Sequence, residues 1–294
     1  MAATNRTGIV PYLQAAPLAL VFLLFLVVPL AFIVVVSFWT YDNYQIQPAF
    51  TVQNYADVFD RCIARLPTLC TTFRTYVSTL GFALRVWVLT LLIGFAIAYF
   101  LAFEVRSKAI QSVLFLICTI PFWTSNVIRM ISWIPLLGRE GLVNRTLMGL
   151  GVVDQPVEWL LYSGFSVTLT FVHLFTFFMV VPIYNSMLRI DRSLIEAARD
   201  AGASGWQILW NVVVPLSKTG IAIGSIFVLT IVMGDFVTVG LMGGQQIASV
   251  GKTIQTEISY LQFPIAAANA VVLLATVLLI VFALLRVVDI RKEL

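Results

Sequence analysis

The chain has 294 residues, 60% of them apolar and only 11% charged, with a mean hydropathy of +0.97. A soluble domain carries about 25% charged residues, so the composition excludes one and leaves a membrane protein. The net charge of +4 comes with no basic face and no nucleic-acid motif, and three cysteines with one histidine exclude a conventional all-protein zinc site.

A hydrocarbon core about 30 Å thick takes about 20 helical residues to cross. Six apolar runs reach that length: 17–38, 76–103, 111–134, 160–184, 219–241 and 263–286. The first is longer than a signal-peptide core and no small-x-small cleavage site follows it, so it reads as a retained anchor. Between the first two spans, Trp39 to Thr75 form the longest loop outside the membrane, and both Cys62 and Cys70 lie in it. A bridge and two free thiols are both open there, since spacing says nothing about geometry. Cys118 falls within the third span.

From 135 to 159 the chain is broken by Gly138, Gly141, Gly149 and Gly151, while Leu142, Val143, Leu147 and Leu150 recur at helical spacing. A short helix lying in the interface is expected. After the fifth span, Gly251-Lys252-Thr253 ends as a phosphate loop does. Such a loop needs a glycine at 246, which is Gln246, and a strand before it, where this chain has a span. There is no Gly-x-Ser-x-Gly, no His-Glu-x-x-His and no carboxylate pair set for acid–base chemistry. An enzyme active site is therefore not expected.

Four ionisable groups fall inside spans: Arg85, Arg129, His173 and Asp235. Each costs several kcal/mol if it faces lipid, so each is a candidate for function. At 1.5 Å per residue, Arg129 lies roughly 27 Å and Asp235 roughly 24 Å from the same side. Two readings follow: a structural Arg129–Asp235 pair, or a carboxylate facing a solute path. For His173 the alternatives are a packing hydrogen bond between helices and a place on the path.

The long polar interruption runs from Asp191 to Pro215. Ser193 stands three residues before Glu196, and Ser204 three before Gln207, each the spacing of a capping box. Gly202 sits where the first helix must end, in a position that favours left-handed backbone and into which any side chain would be forced. Helix, glycine turn, helix: the stretch reads as a stiff elbow at the membrane surface. Ala197, Ala198, Ala201 and Ala203 are small enough to admit another surface closely.

Glu196-Ala197-Ala198, Gly202 and Val212-x-Val214-Pro215 resemble the EAA loop of the permease subunits of binding-protein-dependent ABC importers, with valines where that family's pattern has Ile and Leu. Pro121-Phe122-Trp123-Thr124 through Arg129, Leu150-Gly151-Val152 and Leu241-Met242-Gly243-Gly244 are similar to the spermidine/putrescine-type permeases. The resemblance implies an all-α membrane protein, a single domain over 1–294 with six transmembrane helices in the type I importer permease (MetI-like) architecture. It implies a second homologous permease, two ATP-binding subunits, a periplasmic substrate-binding protein and the lipid bilayer as partners, and no nucleic acid. Glu196, Ala197, Ala198, Gly202 and Ala203 would contact the ATPase, which binds the ATP; this chain would hold no cofactor and no metal. Asp235, Arg129, Arg85, His173 and Trp123 are the path candidates. The implied solute is a polyamine, with iron, sulfate or an opine as alternatives. An ion-coupled carrier is the rival class, and it needs buried acids where only Asp235 qualifies. With the N-terminus inside, ten Lys and Arg fall on the cytoplasmic side and six outside. That excess expects both termini and the elbow in the cytoplasm of a cell with an inner membrane.

Overall fold

A computed structural model describes residues 10–42, 45–60, 62 and 70–287. Its first helix is α1 (Val10–Phe22), continued through a wider π-type turn over Leu23–Val27 into α2 (Val28–Val36). Pro29 explains the turn: it lacks an N–H and crowds the carbonyl four residues back, so the ladder loosens just before it. A short hairpin of β1 (Thr40–Asp42) and β2 (Gln45–Gln47) follows, pairing Tyr41 with Ile46, and then α3 (Gln53–Val58). Buried Asn54 ties these pieces together by donating to the carbonyls of Ser37 and Trp39 at 2.8 and 2.7 Å.

A disulfide joins Cys62 to Cys70, so of the two readings left open the bridge is the one formed. Cys70 is buried and begins α4 (Thr71–Tyr99), which extends through a second π-type turn to Glu104. The second span thus starts five residues before the apolar run, because Thr71–Thr75 are largely polar but already helical. α5 (Lys108–Trp123) ends two residues after Pro121, and the chain bends by 92° into α6 (Asn126–Ile131), α7 (Ile134–Leu137) and α8 (Leu142–Gly149). The third span expected over 111–134 is therefore a shorter helix followed by a turned-back segment. α8 occupies the stretch where a short helix was expected. Fully buried Asn144 closes the segment, donating to the carbonyls of Gly138 and Val157 and accepting from the Val157 N–H at 2.8 Å.

α9 (Gly164–Met187) is the centre of the molecule. Val167, Phe171, Phe175, Met179, Val180 and Ile183 are all buried along it. The elbow follows as α10 (Arg192–Asp200) and α11 (Gly205–Ile208). α11 runs through a π-type turn over Leu209–Val213, just before Pro215, into α12 (Val214–Gly234). The second half of the elbow is thus the start of the fifth long helix rather than a separate loop. α13 (Val237–Met242), α14 (Val250–Ser259) and α15 (Phe263–Val287) complete the described chain.

Two glycine contacts set the core. An added Cβ at Gly220 would meet the Pro182 carbonyl and lie 2.7 Å from Ser186 Cβ. One at Gly224 would lie 2.7 Å from Met179 Sδ. This Gly-x-x-x-Gly stripe lets α12 approach the α9 backbone at the place where Pro182 already loosens it. On the other flank Trp87 of α4 donates to Ser225 Oγ of α12 at 2.7 Å. Among the described residues five helical stretches are long and apolar enough to cross a membrane, or six when α5 and the bent segment 126–149 are taken as one span.

Candidate functional site

The elbow is built by local hydrogen bonding. Asp191, rather than Ser193, caps α10: its Oδ1 accepts from the Ser193 N–H at 3.0 Å, and those bonds hold its carboxyl below the usual carboxylate range. The Ser193–Glu196 box does not form, because the helix begins earlier than the spacing suggested and places Ser193 inside it. The Ser204–Gln207 box does form, with Gln207 Oε1 accepting from the Ser204 N–H at 2.7 Å. Between them Gly202 has φ +82°, its N–H donates to the Arg199 carbonyl at 2.8 Å, and the Ala203 N–H donates to the Ala198 carbonyl at 3.0 Å. These two bonds are the Schellman closure of a helix. An added Cβ at Gly202 meets nothing within 4 Å, so the expected steric clash is absent and only the backbone angle excludes other residues.

The elbow has two faces. Ile195, Ala198 and Ala203 are half-buried against the core, and Arg192 donates to the Ala102 carbonyl at 3.4 Å. Glu196, Ala197, Arg199, Ala201 and Gly202 are exposed on the other side. Of the small residues expected to admit a partner, Ala197 and Ala201 are thus free, and Ala198 and Ala203 seat the elbow on its own chain.

The path candidates do not converge on one point. Arg85 is exposed on α4, donating to the Gly81 carbonyl at 3.0 Å with its guanidinium 4.5 Å over the Phe82 ring. It borders a separate groove with Leu84, Val88, Phe165 and Thr168. Arg129 is buried and donates through Nη2 to Asn126 Oδ1, while Nε and Nη1 have no hydrogen-bond partner among the described residues. Asp235 ends α12, and its Oδ1 accepts from the Thr238 N–H at 2.7 Å to start α13. No ion pair joins Arg129 to Asp235. The depth comparison assumed straight spans, whereas the bend after Trp123 carries Arg129 off its axis and the helix break at Asp235 turns the carboxylate onto its own backbone.

His173 lies near enough to Arg129 to interact with its charge, whereas Trp123 lies apart. His173 Nδ1 accepts from Trp133 Nε1 at 3.0 Å, the rings edge to face at 5.7 Å, and the imidazole is exposed. Trp123 is 80% exposed at the end of α5. Beside it Phe122 stacks on Phe177 at 5.2 Å and meets Phe178 at 5.8 Å, and Phe178 in turn meets Phe227 of α12 at 6.2 Å. His173, Phe177, Val181 and Asn185 recur every four residues, one side of α9. That stripe leads from the His173–Trp133 pair to a groove of about 730 Å³ between α9 and α12 at the elbow end. Asn185, Ser186, Arg189, Asp191, Thr219 and Phe227 are among its walls. Neither the stripe nor the groove was among the sequence expectations. The Gly220-x-x-x-Gly224 spacing was the legible signal for the helix pair that forms them.

Residues 90–293 match the family described as binding-protein-dependent transport system inner membrane component. The chain belongs to this family. The spermidine/putrescine transport system permease protein PotB of Escherichia coli (strain K12) is 32% identical to this permease over 252 residues, covering 85% of this chain and 87% of that one. PotB of Haemophilus influenzae is 31% identical, covering 83% and 82%. The inner membrane ABC transporter permease protein YdcU of Escherichia coli is 26% identical, covering 70% and 67%. Among solved structures, a bacterial ABC transporter involved in the import of the acidic polysaccharide alginate superposes with a TM-score of 0.72 at 20% identity, covering 95% of the permease and 94% of that chain. The bacterial alginate transporter in complex with alginate pentasaccharide-bound periplasmic protein gives 0.68 at 18%, covering 94% and 92%. The permease therefore has the mostly helical fold of an ABC importer's membrane subunit, with one short hairpin.

Proposed function

We propose that this permease forms half of the path of an ABC importer for a polyamine of the spermidine/putrescine class. A second, similar permease supplies the other half, two ATP-binding subunits dock below, and a periplasmic binding protein delivers the solute. The 32% identity to PotB over most of both chains carries the solute class. The rigid, two-faced elbow carries the coupling: a lever must not flex, and capped helices around a Schellman turn meet that need. Glu196, Ala197 and Gly202 form the free face for the ATPase, with Ala198 and Ala203 seating it.

ATP is bound by the partners. Gly251-Lys252-Thr253 lies inside α14, with Gly251 buried against the Gly234 carbonyl and Lys252 Nζ donating to Gln255 Oε1 at 2.8 Å, so it is packed helix and not a phosphate-cradling loop. For orientation we take the termini and elbow as cytoplasmic. The Cys62–Cys70 bridge supports this: it lies at the start of α4, the elbow packs near the other end of that helix at Ala102, and disulfides persist on the oxidising side.

The test is uptake by vesicles holding the whole complex with its binding protein. Labelled spermidine or putrescine should accumulate with ATP and compete with each other. Accumulation of sulfate, iron or an opine instead, with neither polyamine competing, overturns the solute class while leaving the importer assignment intact.

A further inference from the structure

At the disulfide end of the molecule, helices from distant parts of the chain enclose a second cavity of about 240 Å³. α3 forms one wall, the first turns of α4 another, and α14 with the start of α15 the rest. Two carboxylates line it, Asp57 and Glu257, and among the described residues no Lys, Arg or His does.

Most hydrogen-bond donors around this cavity are already committed. The Thr72 hydroxyl donates to the Val58 carbonyl, that of Thr75 to the Thr71 carbonyl at 2.9 Å, and that of Thr253 to the Ser249 carbonyl at 3.2 Å. Buried Asn269 donates through Nδ2 to both oxygens of Glu257, at 2.9 and 3.0 Å. A hydroxyl that has given its proton away keeps only lone pairs, and an ionised carboxylate offers nothing else. The wall is thus rich in acceptors and poor in donors. Half-buried Glu257 is also short of positive charge. Its amide partner is neutral, and burial pushes its carboxyl above the usual carboxylate range against the pull of that bond. A carboxylate so placed is stabilised by a cation.

The wall's chemistry selects among cations. A metal ion is held by several converging ligands, and among the described residues no three His, Cys, Asp or Glu are placed to hold one. A primary ammonium has three N–H donors and no acceptor, so it meets hydroxyl lone pairs and carboxylates together. Val58, Val250 and Ile265 supply an apolar wall for a short methylene chain. We propose that this cavity binds the ammonium end of a small primary alkylamine, with Glu257 as its counter-charge, apart from the groove between α9 and α12. The occupant ties α3 to α14 and α15. This holds whichever solute the importer carries.

The experiment is hydrogen–deuterium exchange of the whole importer in nanodiscs, read on the peptides that cover α3 and α14. n-Butylammonium chloride should slow exchange there in a saturable way, because its ammonium joins the two walls. Tetramethylammonium chloride, with the same charge and no N–H, should not, and neither should n-butanol. Glu257→Gln should raise the half-saturating n-butylammonium concentration about ten-fold, the loss of one charge-assisted hydrogen bond. Exposed Asp57→Asn keeps an acceptor for Gln53 Nε2, and with it the fold. It should raise that concentration about three-fold, as an exposed charge does. Equal protection by tetramethylammonium, or protection by calcium chloride and not by n-butylammonium, overturns the ammonium site. So does a half-saturating concentration that neither substitution moves. Carbodiimide coupling of Glu257 to a lysine of a partner subunit would show that the assembly itself fills the cavity, and would overturn the site equally.

Discussion

Asp235 shows one carboxylate held by its own backbone. Its Oδ1 caps α13 through the Thr238 N–H, and it forms no ion pair with Arg129. Asn caps a helix about as well as Asp, whereas Ala loses about 1 kcal/mol. If capping is the whole role, Asp235→Asn should assemble and transport normally while Asp235→Ala loses assembly. If the charge serves a cation in transit, Asp235→Asn should assemble normally and transport a polyamine several-fold more slowly. Uptake and assembly unchanged in both variants would remove Asp235 from path and fold alike. Arg129→Gln gives no rescue in either case, since the two side chains are not paired.

Asp191 offers a test by pH. Bonds from Ser193 hold its carboxyl below the ordinary value of 3.8, so the ionised cap is favoured by the folded elbow. Its contribution is present above the unfolded value and is lost as pH falls through the folded one. Proteolysis of the elbow in the detergent-purified permease should therefore accelerate below about pH 4. Asp191→Asn, which keeps an acceptor but cannot titrate, should flatten that response. An identical acid response in Asp191→Asn would show that another group governs the elbow.

At the scale of elements, the α9–α12 contact is the most exposed to mutation. Inside a membrane, apolar burial does not drive one helix onto another, so close packing must. Gly220→Ala places a methyl group against the Pro182 carbonyl, a backbone atom that cannot rotate away. Overpacking of this kind costs about 1–3 kcal/mol, and the variant should purify with a lower melting temperature and a reduced yield of complex. Gly234→Ala, with nothing within 4 Å of the added carbon, is the matched control and should behave as wild type. The elbow's glycine acts differently. At Gly202 a side chain has space but not the backbone angle, so the cost is that of left-handed φ, about 1–2 kcal/mol.

For the whole molecule, the bridge and the turned-back segment decide what lies at the end away from the elbow. The bridge closes a short loop with cysteines eight positions apart, and chain entropy allows it about 2.5 kcal/mol. Cys62→Ser with Cys70→Ser should lower thermal stability by no more than that, and non-reduced peptide mapping of the native chain should recover the linked pair. Recovery of two free thiols would remove the bridge and its support for the orientation. Features that depend on local chemistry could be read directly from the residues. The apolar runs marked the long helices because a bilayer demands length, and the Ser204–Gln207 box and Gly202 marked the elbow because capping and left-handed turns are settled within a few residues. Ser193 has the spacing of a cap without the role, because Asp191 just before it is better placed to take the free N–H. The partners of the intramembrane charges depend instead on how distant segments pack. The 92° bend after Trp123 takes Arg129 off the axis of its span and the break at Asp235 gives the carboxylate to the Thr238 N–H, so the two form no ion pair, and depth along a straight helix cannot reveal a change of axis. The groove between α9 and α12 was likewise out of reach, since it arises from two stripes distant in the chain that meet only because glycine lets the backbones approach.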